Sequence, residues 1–288
     1  MLELLPCLDT DEMAAICERE LSQDRRLLKF WGHEVLNVMK LGFYVSSSTN
    51  VIEIGDAIRH AKDNKRSISP DAALPPAEQP GFASTRIQVT NETTLGAARR
   101  LTRPGSRVVA LNFANGRAAG GGFLSGSRAQ EENLCRSSAL FATLDWDKMY
   151  AFHREQGTAA SSDWCIYSPD VPVFRTDDGL TLDEPWLTSF ITAAAPVAYK
   201  VGQPESAELL ATRILRVLEV AKAFGHDTLV LGAWGCGAFG NDPRQTARDF
   251  RNALEKRFDG AFKEVVFAVA DWSPERKFLG PFRDVFAD

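Results

Sequence analysis

The sequence predicts an α/β fold: a three-layer α/β/α domain on a mixed, mostly parallel sheet, preceded by a mainly helical N-terminal extension. Three observations predict it. From about residue 85 onward, short apolar runs alternate with segments of helical apolar spacing, the pattern of a parallel sheet covered on both faces. Two of the apolar runs open directly into glycine-rich loops. Ahead of this region, SISPDAALPPAEQPG (67–81) carries four prolines and no periodicity, which marks it as a linker. The expected division is an extension over 1–80, packed on a larger domain over 81–288.

Within the extension, Leu27, Leu28, Trp31, Val35, Leu36 and Met39 recur at three- and four-residue steps, so 11–41 reads as helical. GFYVSSSTNVIEI (42–54) reads as a hairpin, and 55–64 as a further helical patch. In the domain, RIQVT (86–90) is a strand and TTLGAARRLT (93–102) a helix. RVVALNFA (107–114) is a strand, 129–144 a helix, and 145–157 a second helix behind it. WCIYSPDVPVFR (164–175) is a strand with its hairpin, and LTSFITAAA (187–195) another strand. PESAELLATRILRVLEVAKAFG (204–225) is a strongly amphipathic helix that suits sheet cover. TLVLGAW (228–234) is a buried strand, 243–257 a helix, and KEVVFAV (263–269) the last strand. In such sheets ligands bind at the carboxyl ends of the strands.

The 288 residues are 44% hydrophobic and 25% charged, ordinary for a globular protein, with a formal net charge of −5. A protein gripping nucleic acid along its length would be basic, so no direct DNA binding is expected. One end of a polyanion in a local pocket is compatible with the charge. The five cysteines, Cys7, Cys17, Cys135, Cys165 and Cys236, show no C-x-x-C spacing and read as reduced cytosolic thiols. No apolar run suits a membrane span and the start lacks a signal peptide's basic region, so a cytoplasmic protein without membrane attachment is expected. His33, His60, His153 and His226 are scattered and read as surface or core histidines; no metal site or cofactor is indicated.

The two loops carry the chemistry. The first, NFANGRAAGGG (112–122), leaves the strand at 107–114. The second, GAWGCGAFGNDP (232–243), leaves the strand at 228–234 and contains a G-x-G-x-x-G over 235–240. Glycines there let backbone N–H groups approach a phosphate. Asn241 or Asp242 suits a helix cap and Pro243 the first helical turn, so the loop and helix start form a diphosphate cradle. The plain alternative is a tight strand-to-helix turn. A dinucleotide-binding reading fails on position: the motif falls near the end of the chain, and the acid closing the next strand, Asp271, lies too far on.

After the first loop comes GGGFLSGSRAQEE (120–132), with Gln130, Glu131 and Glu132 at the start of a helix. Acids there complement the helix dipole, which explains them but not the triple glycine. Neighbouring helical residues point about 100° apart. The two glutamates therefore cannot flank a substrate bond from opposite sides; if the site breaks a glycosidic bond, one carboxyl must do most of the proton work. A helix N-terminus favours the charged carboxylate. Burial, or the neighbouring charge, has to outweigh that if either glutamate is to act as an acid.

GGGFLSGSRAQEE resembles the signature of the bacterial-type poly(ADP-ribose) glycohydrolases, and LNFAN…GGG and GCGAFGNDP are similar to the two ligand loops of macrodomains. The resemblance covers about 85–271 and implies a macrodomain-like fold, hydrolysis of the ribose–ribose bond of poly(ADP-ribose) to ADP-ribose, and no metal. It also implies poly(ADP-ribosyl)ated proteins as partners and a place in the DNA damage response. By the same resemblance Glu132 is the acid/base, Glu131 positions the scissile ribose hydroxyls, and Gln130 holds the loop. Asn115, Gly120, Gly121, Gly122 and the following Phe123 lie at the distal ribose. Gly235, Cys236, Gly237, Ala238, Phe239, Gly240 and Asn241 lie at the diphosphate, with Phe239 near the distal ribose. Glu92 or Thr93 lie at the adenine end. A macrodomain that binds ADP-ribose without cleaving it shares the glycine loops but not both glutamates. A hydrolase of another ADP-ribose derivative is separated only by its substrate.

Overall fold

The computed structural model describes residues 1–77 and 81–287; residues 78–80, the end of the expected linker, lie outside them. Its elements run β1 (Leu2–Leu4), α1 (Asp11–Leu21), α2 (Arg25–Leu41), β2 (Phe43–Val45), β3 (Val51–Glu53), α3 (Gly55–Asn64), β4 (Arg66–Ile68), β5 (Thr85–Thr90), α4 (Thr94–Leu101) and β6 (Val108–Phe113). A short 3₁₀ turn at Phe123–Ser125 leads into α5 (Gln130–Ser137), α6 (Leu140–Leu144), α7 (Lys148–Gln156), β7 (Cys165–Arg175) and β8 (Thr181–Ala193). The chain closes with α8 (Ala198–Val201), α9 (Glu205–Ala223), β9 (Thr228–Leu231), α10 (Pro243–Lys256), β10 (Glu264–Ala268) and α11 (Leu279–Val285).

The main sheet has eight strands in the order β1-β5-β10-β9-β6-β8-β7-β4. The pairings from β1 through to β8 are parallel; β8–β7 and β7–β4 are antiparallel. Its central strands are buried on both faces, and their side chains alternate between two cores. Val109, Leu111, Leu229, Leu231, Val265 and Phe267 face the core beneath α9, α10 and α11. Val108, Ala110, Val230, Val266 and Ala268 face the core shared with α2 to α7. This is the expected three-layer architecture, and period-two alternation with both faces apolar is what produces it.

Several element boundaries differ from the sequence-based expectation. The helical stretch 11–41 is two helices. Asp24 caps the second by accepting from the Arg26 and Leu27 amides, which stops the first from continuing through it. The stretch 129–144 is likewise broken, because Ser138 leaves the helix to bridge Val173. β8 begins at Thr181 rather than 187, since β7 and β8 form one long antiparallel hairpin. Residues 1–68 supply both edge strands: β1 extends the parallel side beside β5, and β4 closes the antiparallel side beside β7. The beginning of the expected linker is therefore strand. Among the described residues no helix is long and apolar enough to cross a membrane.

Candidate active site

The carboxyl ends of β5, β10, β9, β6 and β8 open onto one cleft of about 360 Å³. Glu92 and Thr93 line it after β5, and Ala270 and Trp272 after β10. Gly235, Gly237, Ala238 and Phe239 follow from β9, Phe113 and Ala114 from β6, and Ala195 from β8. The volume suits a nucleotide-sized ligand. Leu21, Arg128, Gln130, Trp234 and Phe278 complete the walls.

The loop after β9 is held open from behind. Gly235 has a φ of +76°. The buried Asn241 ties the loop together, donating to the Pro196 carbonyl at 2.9 Å and the Gly235 carbonyl at 3.0 Å and accepting from Ser206. The cap of α10 is Asp242, which accepts from the Gln245 amide at 2.7 Å, with Pro243 in the first turn. The Cys236 thiol points inward to the Trp234 carbonyl and the Thr246 hydroxyl, and burial pushes its pKa up to about 12. Neither Asn241 nor Cys236 lines the cleft; both shape the loop. Gly237 is its open point, where an added Cβ would meet no atom within 4 Å.

At the β6 end, Gln130 stitches α5 to the strand. It accepts from the Phe113 amide at 2.9 Å and donates to the Leu111 carbonyl at 2.7 Å. Next to it the two glutamates are both buried. Glu131 Oε2 accepts from the Asn115 amide at 2.7 Å, and its Oε1 from Asn112 Nδ2 at 3.4 Å. Glu132 Oε1 accepts from the Gly122 amide at 2.9 Å. Glu132 Oε2 is buried and has no hydrogen-bond partner. Of the four carboxylate oxygens it alone lacks a hydrogen-bond partner. The triple glycine is now explained in space. Gly121 has a φ of +55°, and a Cβ there would overlap Glu132 Oε1. Any side chain at this position would fill the place of the carboxylate.

Burial pushes the Glu131 pKa up to about 8, with the charge of Glu132 adding to it and the hydrogen bonds from Asn115, Asn112 and Gly120 opposing it. Desolvation thus outweighs the helix dipole. Glu131 therefore keeps its proton near neutral pH. Arg136, one turn further along α5, is also buried, and its charge interacts with Glu132. It donates to the Ser127 carbonyl at 2.7 Å, bracing the segment between the glycines and the helix.

The glutamates, Asn115, Gly120, Gly121 and Gly122 do not line the cleft; they stand immediately beyond its β6 end, next to Ala114 and Gln130. An extended ligand would fill the cleft with one part and reach the carboxyls with another. The Asn115 side-chain oxygen accepts from the Arg117 and Ala118 amides, leaving its Nδ2 for a ligand. The Phe123 ring is buried against Phe141, so only its backbone can face the site. Thr93 caps α4 and hydrogen-bonds the buried Asp177, while Glu92 pairs with Arg100. Sequence reasoning missed Trp272 and Phe278, aromatic walls of the cleft beside Glu92 and Thr93. Their position just beyond β10 was the available signal, through the strand-end rule. It also missed Leu21, which nothing in its own helix distinguishes. Among the described residues no cluster of His, Cys, Asp and Glu could hold a metal ion.

The model of the microbial-type PARG catalytic domain matches residues 32–176. The poly(ADP-ribose) glycohydrolase of Thermomonospora curvata superposes with a TM-score of 0.86 at 42% identity, over 90% of this chain and 99% of that one. The chain belongs to the microbial-type poly(ADP-ribose) glycohydrolases. The T. curvata glycohydrolase bound to the inhibitor ADP-HPD is similar at 43% identity and a TM-score of 0.84, again over 90% and 99% of the two chains. The Deinococcus radiodurans glycohydrolase in complex with ADP-ribose is similar at 43% identity and a TM-score of 0.74, over 79% of this chain and 96% of that one. No curated protein matches the sequence. The matched family segment holds the whole stretch from the triple glycine to both glutamates and begins inside α2.

Proposed function

We propose that this glycohydrolase cleaves the ribose–ribose O-glycosidic bond of poly(ADP-ribose) with Glu132 as its acid and base, releasing ADP-ribose. One observation carries the assignment: Glu132 Oε2 is the single unpartnered oxygen of the buried carboxyl pair. The cleft receives the adenosine diphosphate part of the terminal unit. Trp272 and Phe278 take the adenine with Glu92 and Thr93, and the 235–240 loop takes the diphosphate through its backbone. The distal ribose reaches Asn115 and Gly120–Gly122. Glu132 Oε2 gives a proton to the departing 2′-oxygen, and the same oxygen then takes a proton from the attacking water. Glu131, with both oxygens already held, orients the ribose hydroxyls. We take residues 1–80 as an extension packed on the catalytic core of 81–288, with Leu21 as its contribution to the cleft. Five free cysteines support a reducing, cytoplasmic setting, where poly(ADP-ribosyl)ated proteins of the DNA damage response would be met.

Glu131 and Glu132 are adjacent on one helix, so no second carboxylate stands across the bond to form a glycosyl-enzyme. The reaction passes through an oxocarbenium-like state, which the negative charge of the ligand's own diphosphate helps to stabilise. Intact-mass spectrometry after incubation with a fluorinated ADP-ribosyl donor carrying a good leaving group should show an unmodified protein. A stable adduct on Glu131 or Glu132 would overturn the single-carboxylate mechanism.

A further inference from the structure

The cleft lies across the sheet in a fixed order, from the ends of β5 and β10 through β9 to β6, where the glutamates stand. A polymer bound with its terminal adenosine at the β5 end must leave the site in the same direction, past β6 and over the ends of β8 and β7. What stands there is distinctive. Arg117 follows Asn115 by two residues, is exposed, and has its amide on the Asn115 side-chain oxygen at 2.9 Å. Arg154, on α7, donates to the Arg117 carbonyl at 2.7 Å. His153 meets the Gly116 carbonyl at 2.8 Å; burial lowers its pKa, so it holds this loop as a neutral ring. Among the described residues neither Arg117 nor Arg154 meets a carboxylate in an ion pair. On the other flank, α8 is joined to the diphosphate loop by the Ala198 amide on the Phe239 carbonyl at 2.8 Å. It presents Tyr199, 70% exposed, with the Lys200 ammonium beside its ring. None of these four side chains lines the cleft.

We propose that Arg117 and Tyr199 form a subsite for the leaving side of the scissile bond, a reading that rests on the cleavage proposed above. The departing unit presents an adenine and a 5′-diphosphate on either side of its 2′-oxygen. Arg117, backed by Arg154, meets the diphosphate; Tyr199, backed by Lys200, stacks on the base. A chain with a net charge of −5 repels a polyanion overall, so unpaired cations at the exit favour polymer binding there. A loop clamped by α7 gives Arg117 a defined position relative to Glu131, which accepts from the Asn115 amide.

The test compares poly(ADP-ribose) with 4-nitrophenyl ADP-ribose, whose leaving group has neither phosphate nor purine. Arg117→Glu should lower kcat/KM on the polymer about tenfold at low salt and leave it unchanged on the aryl substrate. The loss should shrink as salt screens the contact, and Arg117→Lys should recover most of it. Tyr199→Ala should lower the polymer value about fivefold with little salt dependence. Polymer values equal to wild type in both variants would overturn the subsite, as would equal losses on both substrates. A wild-type enzyme inert on both substrates would defeat the proposed cleavage itself.

Discussion

Glu132→Gln is expected to slow release of ADP-ribose from poly(ADP-ribose) by at least about 10³-fold, with the affinity for free ADP-ribose held within about tenfold, or about 1.4 kcal/mol. The substitution is close to isosteric. The new amide oxygen can still accept from the Gly122 amide, so the loop keeps its anchor. The group replacing Oε2, however, can neither give up a proton to the leaving oxygen nor take one from water. Both half-reactions of the proposed mechanism use this atom, so the loss should exceed that of a group serving one step. Binding is supplied by the cleft and the 235–240 loop, which the change does not touch. A stopped assay on the polymer together with calorimetry on ADP-ribose separates the two effects. Turnover near the wild-type rate would remove Glu132 from the reaction and leave the fold assignment intact.

Gly237→Val is expected to weaken ADP-ribose binding by more than about 100-fold, or about 2.7 kcal/mol, without unfolding the protein. An added Cβ at Gly237 has open space around it, so the ligand-free loop accommodates the side chain. That space is the cleft, where backbone must approach phosphate oxygens. Gly121 behaves in the opposite way. There a Cβ would overlap Glu132 Oε1, so Gly121→Ala should disturb the carboxylate before any substrate arrives. For Gly237→Val, calorimetry reads the affinity and thermal melting the fold. Wild-type affinity with an unchanged melting temperature would take the diphosphate away from this loop.

Much of this site was legible in the sequence, for a physical reason. Glycines that admit a ligand or a carboxylate are irreplaceable, so GGG at 120–122 and the G-x-G-x-x-G at 235–240 stand out against ordinary loop composition. Both loops follow short apolar strands, and the strand-end rule placed them on one edge of the sheet. The edge strands were not legible. Leu2–Leu4 and Arg66–Ile68 are three residues each, too short to show alternation, and they become strands only by docking beside β5 and β7. Individual roles within the loops were also beyond the sequence. Cys236 and Asn241 sit among residues that face the cleft, yet their side chains turn inward, Cys236 to Trp234 and Thr246 and Asn241 to Pro196 and Ser206. Phe123 directly follows the glycines, but its ring enters the core against Phe141. The unequal hydrogen bonding of Glu131 and Glu132 depends on Asn112, Asn115 and Gly122, which meet only once β6 and α5 are in place.

The most direct measurement is incubation of the wild-type protein with labelled poly(ADP-ribose) in excess chelator, with the products separated by chromatography. The polymer should be consumed and ADP-ribose should accumulate, because in the proposed mechanism Glu132 supplies the proton transfers without a metal ion. A polymer left at full length by a protein that binds ADP-ribose tightly would contradict the proposed cleavage and make the cleft a recognition site alone.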